Sequence, residues 1–435
     1  MKILAGLLVL GVATSVHAQS SVISIDVTGE HRMTNGDTPD SAKQLARVDA
    51  QRRAWSTAAT RLQNHPEMKA LQLTPAQIEA FTAVLLEFQE EPAATAATNT
   101  KGPVQVRLRG RMDSNDAVRR IALVRKDQDA TFDLLEAWSE MQQLHQQLAK
   151  DTQANQLKTI VALNAKHLSA RASLALARTE PSAVGGRASS DEGRTQAQKL
   201  AEEAIALAPD SPDAHDVMGD LYLDDLEPVA AEEHFRKARS VDAESSNGRT
   251  KLAEALRLQG RFDEAIDELK EALRIDPKSA RAQSGMGLAL RGQRKNTEAI
   301  AAYREAILLD PDLIDAHNGL AVMLAGQGQL EEAVAEFRQI IRIDPDSAIG
   351  YYNLAYALAD LDRDVESAAA LREVIRINPN HYNAHYNLGE LFRLEAKYDE
   401  SAKQFREYLR LAPDAPQNQR NIERAKGFVE KFSDP

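Results

Sequence analysis

The feature that most constrains the fold is a proline that returns every 34 residues in the second half of the chain. The markers are Pro277, Pro311, Pro345, Pro379 and Pro413. The same step backwards reaches Ala243 and Pro209. Eight residues before the markers stand large side chains, one per period: Phe235, Leu269, Tyr303, Phe337, Leu371 and Phe405. A fixed period of this length predicts a stack of helix pairs, each burying its apolar face on the next pair.

Small residues recur with the same period and explain how the pairs pack. Ala or Ser stands twelve residues before each marker, and Gly or Ala follows a large residue near the middle of the first helix. The segment AHNGLAVMLAGQGQLEEAVAEFRQIIRIDP shows all of these positions and resembles the tetratricopeptide repeat family. The resemblance covers 212–415, six repeats of 34 residues, and implies a superhelical solenoid whose first (A) helices line a concave groove. Residues 192–211 are expected to be helix B of a degenerate repeat, and 416–435 a capping helix and tail.

A different pattern occupies residues 20–125. Ile23, Ile25 and Val27 alternate with polar residues, and Val104–Met112 alternates again, so both are expected to be strands. Between them, Pro39–Asn64 has helical periodicity, and Thr74-Pro75-Ala76-Gln77 has the residues of a helix start. The fold class is therefore expected to be an all-α solenoid preceded by a small α+β domain.

The segment GEHRMTNGDTPDSAKQLARVDAQRRAW, with the later strand VQVRLRGRMD, resembles a small exported domain that opens flagellar T-ring assembly proteins. The resemblance implies assembly or scaffolding in the cell envelope rather than an activity. In that strand Arg107, Arg109 and Arg111 point away from the apolar face. They are either an ordinary solvated strand face or a surface for an anionic partner.

Residues 128–178 are expected to form a helical connector, whose end is a candidate for helix A of the degenerate repeat. Its apolar stripe consists of Phe132, Leu135, Trp138, Met141, Leu144 and Leu148. Such a stripe is typical of core packing, and the simplest role for it is packing between the α+β domain and the repeats.

Residues 1–18 have the order of a secretory signal peptide: Lys2, an apolar run, and small residues at positions 16 and 18. The chain is therefore expected to be periplasmic or secreted after cleavage near Ala18. No later stretch is long and apolar enough to predict a transmembrane segment. The chain has no cysteine, which excludes disulfides and thiolate chemistry, and its net charge of -12 argues against nucleic acid as a partner.

No catalytic motif is present, since the sequence lacks HExxH, GxSxG and a phosphate-binding loop. We therefore expect no enzyme activity, cofactor or metal. Five carboxylates crowd one helix, either as a solvated acidic face or as a calcium site: Asp213, Asp216, Asp220, Asp224 and Asp225. The solvated face is favoured, because the EF-hand glycine and closing Glu are missing. His215, His317 and His385 share one repeat position and are expected to be packing residues.

The function is expected to lie on the groove, in the last three repeats. Transfer of the family's groove positions gives a candidate partner-binding set: Asn318, Tyr352, Asn353, Tyr356, Asn383, Tyr386, Asn387, Glu390 and Arg393. Asn side chains can hold a peptide backbone, and Tyr adds contact area at low entropic cost. The alternative is that these are ordinary polar and packing positions. The sequence thus predicts a scaffold that binds a protein or peptide, or alternatively a regulatory or substrate-presenting subunit of an envelope enzyme or export machine.

Overall fold

The computed structural model describes residues 22–32, 38–90, 103–148, 153–177, 180–181, 187–188 and 190–432. The predicted signal peptide lies outside the described residues, and so does Asn35-Gly36-Asp37, a sequence typical of a turn. The chain divides into two compact units between Ala122 and Leu123. Within the described residues, no helix has both the length and the apolar character that a bilayer crossing requires.

The first unit contains a three-stranded antiparallel sheet in the order β1-β3-β2. Its elements are β1 (Val22–His31), α1 (Pro39–Gln63), α2 (Pro66–Ala70), α3 (Pro75–Leu85), β2 (Glu87–Glu90) and β3 (Val104–Asp113), followed by α4 (Ser114–Val124). The predicted strands and the two longer helices are present. The short elements α2 and β2 and the helix α4 were not predicted.

Close contact between α1 and β1 explains the small residues of this unit. A Cβ atom at Gly29 would lie 1.8 Å from the carbonyl oxygen of Ala46 and 2.9 Å from the Cβ of Ala50. Both alanines are fully buried. The helix can therefore pack closely on the strand only because all three positions are small. Thr74 and Gln77 form the predicted capping box at the start of α3.

The second unit is helical, apart from the residue pairs β4 (Glu180–Pro181) and β5 (Arg187–Ala188). Before the repeats come α5 (Gln128–Leu148), α6 (Gln153–Leu176) and α7 (Asp191–Leu207). The A helices of the six repeats are α8 (Pro212–Asp224), α10 (Ser246–Leu258), α12 (Ala280–Gly292), α14 (Ile314–Gly326), α16 (Ala348–Asp360) and α18 (Tyr382–Leu394). Their B helices are α9 (Pro228–Val241), α11 (Phe262–Ile275), α13 (Asn296–Leu309), α15 (Leu330–Ile343), α17 (Asp364–Ile377) and α19 (Tyr398–Leu411), and α20 (Gln419–Phe432) follows.

The large residue of each B helix packs on the small residue of its A helix. A Cβ atom at Gly219 would lie 2.4 Å from the ring of Phe235, and one at Gly287 would lie 2.7 Å from the ring of Tyr303. Phe235 and Tyr303 are fully buried. This contact is the reason for the 34-residue pattern, and the predicted fold class is confirmed.

The turns inside the repeats share one backbone conformation. The residue two positions after each A helix has a positive φ, and these residues are also 34 apart: Leu226, Gly260, Arg294, Gly328, Asp362 and Ala396. Since a left-handed conformation favours glycine, four of the six turns use a residue type that is strained there.

The predicted helical connector, 128–178, contains two helices, α5 and α6. Leu134, Trp138, Met141 and Leu148 of α5 are buried, whereas Phe132 is 42% exposed. The buried stripe is therefore rotated relative to the predicted one, with Leu134 in place of Leu135. Helix α6 packs along α7 and also contacts α8.

Candidate functional site

The A helices of the last three repeats carry a ladder of polar side chains. Asn353 Nδ2 donates a hydrogen bond to Asn318 Oδ1 at 2.9 Å, and Asn387 Nδ2 donates one to the Tyr352 hydroxyl at 3.3 Å. The hydroxyls of Tyr352 and Tyr356 are 3.2 Å apart. The structure thus brings five of the nine predicted residues together across α14, α16 and α18. We call these five residues, with Val322, the late groove.

The late groove presents both apolar surface and hydrogen-bonding groups. Tyr356 is 49% exposed and Val322 is 40% exposed. The Tyr352 ring packs on His381, with ring centroids 4.6 Å apart, and on Tyr356 at 5.0 Å. Burial, together with the Tyr356 hydroxyl, raises the pKa of Tyr352 above its usual range, so the phenol stays a neutral donor and acceptor.

The remaining predicted residues have other positions. Asn383 is half-buried on α18. Glu390 pairs with Arg393 at 3.0 Å and with Arg424 of α20 at 2.7 Å, so these charges connect the last repeat to the final helix. Tyr386 is 8% exposed and packs on Phe405 and Tyr408, with centroids 5.6 and 5.0 Å apart. Its predicted place on the groove surface is therefore wrong, since it lies in the core.

Helix α5 lies across the A helices of the earlier repeats, and the contacts of α5 and the residues just before it run in reverse chain order, from the later repeats to the earlier ones. Before α5 begins, Lys126 pairs with Asp346, which precedes α16, at 2.7 Å. Gln128 Oε1 accepts a hydrogen bond from the backbone of Ile314 at 3.2 Å. Further along, Asp129 pairs with Arg281 of α12 at 2.9 Å. The connector therefore covers one side of the groove.

Deeper in this groove two lysines are each held between two carboxylates. Lys251 of α10 lies 2.8 Å from both Asp133 of α5 and Asp220 of α8. Lys166 of α6 contacts Glu140 of α5 and lies 2.9 Å from Asp213 of α8. Asn247 of α10 donates to Asp133 and Glu136 at 3.3 Å. We call the residues of α8, α10 and α12 that face α5 the early groove: Asp213, Asp216, Asp220, Asn247, Lys251, Arg281 and Ser284.

Carboxylates outnumber ammonium groups here, and the pKa values reflect it. Burial, reinforced by neighbouring carboxylates, raises the pKa of Asp216 well above its usual range. Burial also raises the pKa of Glu136, together with the charges of Asp133 and Glu140. Burial alone would lower the pKa of Lys251, but the surrounding carboxylates raise it well above its usual range. The two lysines therefore stay charged while part of the carboxyl set favours protonation.

These contacts show that the prediction of a solvated acidic face is wrong for Asp213, Asp216 and Asp220. Asp213 and Asp220 are paired with lysines, and Asp216 Oδ1 is buried without a hydrogen bond among the described residues. Of the five carboxylates, Asp225 is exposed. Its side chain also pairs with Arg194. Asp213, Asp216 and Asp220 thus face inward, where Lys166 of α6 and Lys251 of α10 offset part of their negative charge.

The three equivalent histidines have a structural role. Nε2 of His215, His317 and His385 lies 3.0 Å from the carbonyl oxygen of the marker prolines Pro209, Pro311 and Pro379, respectively. Their other ring nitrogens reach the following B helix. All three are buried. They fix the turn between repeats to the next helix pair.

The arginine face of β3 has the predicted alternation. Val106, Leu108 and Met112 are buried, while Arg107 and Arg111 are exposed. Arg109 pairs with Asp26 of β1 at 2.7 Å. In the sheet Arg111 stands opposite Glu87 of β2. Acidic neighbours thus offset part of the positive charge of this face.

The sequence reasoning missed the early groove, although a signal was present. Asp129, Asp133, Glu136 and Glu140 recur every three or four residues, so they form one stripe on α5. The sequence analysis considered only the apolar stripe of the connector and assigned this acidic stripe no role. Its regular spacing was the sign that α5 had a second partner surface.

Comparison with known families identifies the repeats. A model described as "Tetratricopeptide repeat" matches residues 285–348, 337–382 and 352–416, and one described as "TPR repeat" matches 253–293. The chain therefore contains tetratricopeptide repeats, and it carries a scaffold of the kind suited to protein–protein interaction. The resemblance of residues 20–125 to the flagellar domain stays a prediction.

Individual proteins resemble parts of the chain. The crystal structure of yeast Tom70 aligns with a TM-score of 0.51 at 15% identity, covering 92% of this chain and 77% of that one, which supports the fold alone. YrrB, whose title describes "a TPR protein with an unusual peptide-binding site", is 21% identical over 43% of this chain and 96% of its own, with a TM-score of 0.31. "Cellulose synthase operon protein C" of Xanthomonas axonopodis pv. citri is 40% identical over 70 residues, 16% of this chain. The match spans 5% of that relative's length.

Proposed function

We propose that the chain is an exported, non-enzymatic scaffold that holds a segment of another envelope protein in its late groove. The observation that carries the proposal is the contrast between the two parts of the groove. In the early groove the charged side chains are engaged by α5 and α6 of the same chain. In the late groove Tyr356 and Val322 remain about half exposed beside a row of amide and phenol groups.

The chemistry of the late groove favours an uncharged, extended segment. The amides of Asn318, Asn353 and Asn387 offer donors and acceptors that match a peptide backbone. Tyr356 and Val322 offer apolar contact area for side chains. A highly charged segment would gain little binding free energy in the late groove, because the Asn and Tyr groups there are neutral.

Export is supported by the signal-like order of residues 1–18, which lie outside the described residues. The printed name of the Xanthomonas relative supports an envelope setting. It also favours the second candidate, a regulatory or substrate-presenting subunit of an envelope enzyme or export machine. Amino-terminal sequencing of the mature protein tests export: Gln19 as the first residue supports it, and Met1 contradicts it.

Site-specific photo-crosslinking in the native host tests the groove. A benzophenone amino acid at Tyr356 is expected to give a discrete protein adduct, while the same residue at Tyr398 is not. Tyr398 is a matched control, since it is 42% exposed and lies on a B helix. Equal adducts at both positions, or none at Tyr356, would contradict the proposal. The identity of the adduct separates a structural partner from an enzyme subunit.

The variant Tyr356→Ala separates binding from stability. It is expected to weaken the noncovalent complex with the partner found by crosslinking by roughly thirtyfold, the effect of losing ~2 kcal/mol at a buried interface anchor, with little change in thermal unfolding. Tyr386→Ala serves as the core control and should unfold at lower temperature, because Tyr386 is buried. If Tyr356→Ala unfolds as early as Tyr386→Ala, the late groove is a packing surface.

A further inference from the structure

A cavity of about 320 Å³ lies in the early groove, between α5 and α6 on one side and four A helices on the other. Among the described residues that line it, seven carry carboxylates and three carry cationic groups. Apolar residues also line it, among them Leu223, Leu258 and Leu288. A partly enclosed space with this excess of negative charge favours a cation, and the leucines suit an aliphatic stem.

The protein already shows which cation this environment accepts. The Lys251 ammonium lies at the wall of the cavity, 2.8 Å from Asp133 and 2.8 Å from Asp220. Lys166 has the same arrangement between Glu140 and Asp213. Two lysine ammonium groups are thus each held between two carboxylates, and the carboxylates around them outnumber the ammonium groups.

A second observation, independent of the charge, is an unsatisfied hydroxyl. Ser284 lines the cavity, is 4% exposed, and its Oγ makes no hydrogen bond among the described residues. A buried hydroxyl without a partner is unfavourable unless a ligand or water supplies one. An ammonium or guanidinium group in the cavity would supply the missing donor.

We propose that this cavity binds a lysine or arginine side chain of a partner protein. The aliphatic stem lies along the leucines, and the charged head lies beside Ser284, within the excess of carboxylates that line the cavity. Asp315 is on α14, one turn before Asn318 of the late groove. One partner segment can therefore reach both places, although the cavity would bind a basic residue whether or not the late groove binds anything.

Fluorescence anisotropy with the full chain tests this proposal. The probe is a fluorescein-labelled Gly–Ser peptide that carries lysines, and its control has glutamine in place of each lysine. The lysine peptide is expected to bind, and the double variant Asp224→Asn with Asp315→Asn should weaken it about tenfold. The matched control is Asp267→Asn with Glu305→Gln, which removes the same charge from exposed positions on B helices. It should change binding by less than about twofold, because distant exposed charges are screened.

Two further variants keep the result interpretable. Ser284→Ala removes no charge and should weaken the lysine peptide measurably, whereas Tyr356→Ala in the late groove should leave it unchanged. The proposal is overturned if the lysine peptide does not bind, or if the exposed control variant weakens it as much as the cavity variant. Equally strong binding of free spermidine at the same residues would assign the cavity to polyamines instead of a protein partner. Loss of peptide binding in Tyr356→Ala alone would place the basic residue in the late groove, which also overturns the proposal.

Discussion

Replacing Lys251 with Gln tests whether α5 is held in the groove by its charges. The change removes the only ammonium that contacts both Asp133 and Asp220 within the described residues, and leaves their carboxylates facing each other and Asp216. Breaking a buried pair by removing one partner costs ~3–5 kcal/mol. The side chains of Lys251 and Asp133 are each 15% exposed and that of Asp220 is 26% exposed, so solvent screening reduces the expected cost to ~2–3 kcal/mol.

Hydrogen–deuterium exchange suits this test, because repeat proteins open region by region. In Lys251→Gln the amides of α5 are expected to exchange roughly thirty- to hundredfold faster, which corresponds to ~2–3 kcal/mol, while those of α17 stay unchanged. The control is Lys270→Gln, whose ion pair with Asp267 is exposed and is expected to contribute ~0–1 kcal/mol. If α5 exchanges equally fast in both variants, the charges do not hold it and the apolar stripe does.

Two further substitutions test the packing and the turns of the repeats. Tyr303→Phe is expected to stabilise the protein by ~1 kcal/mol, because the hydroxyl is buried without a hydrogen bond among the described residues; a lower melting temperature would contradict this. Leu226→Gly should raise thermal stability by ~1 kcal/mol, because Leu226 has φ 60° and is 84% exposed. The reverse change Gly260→Ala, at φ 76° in the next repeat, should lower it by a similar amount, and equal melting temperatures for both variants would refute the argument from strain.

The repeat region could be predicted because its period reports contacts between neighbours. Each large residue, such as Phe235, and each small one, such as Gly219, recurs since the same pair meets in every repeat. The close approach of α1 and β1 was encoded in the same way, by Gly29 and the alanines opposite it. Of the elements that were missed, α2 and β2 are four or five residues long, and such lengths are too short to show a period.

The candidate site was predictable in part for the same reason. The ladder of Asn318, Asn353 and Tyr352 follows the repeat register, so the sequence placed these residues on one surface. The contacts of α5 follow no such register. Those with the A helices join residues more than 100 positions apart, as Asp133 and Lys251 do, and each occurs once. The 34-residue period of the repeats cannot reveal a contact that is made only once.

The position of Tyr386 shows where the assignment of groove residues from their repeat position fails. Tyr352 and Tyr386 are 34 residues apart and share one repeat position, yet Tyr352 reaches the late groove and Tyr386 lies in the core. After Tyr352 comes another repeat, whose helix α18 begins at Tyr382. After Tyr386 comes α20, which begins at Gln419, whereas a further period from Tyr382 would begin at 416. This shifted helix brings Ile422 and Ala425 into one apolar cluster with Tyr386. A repeat position therefore gives the direction of a side chain, and the helix that follows decides whether that direction is groove or core.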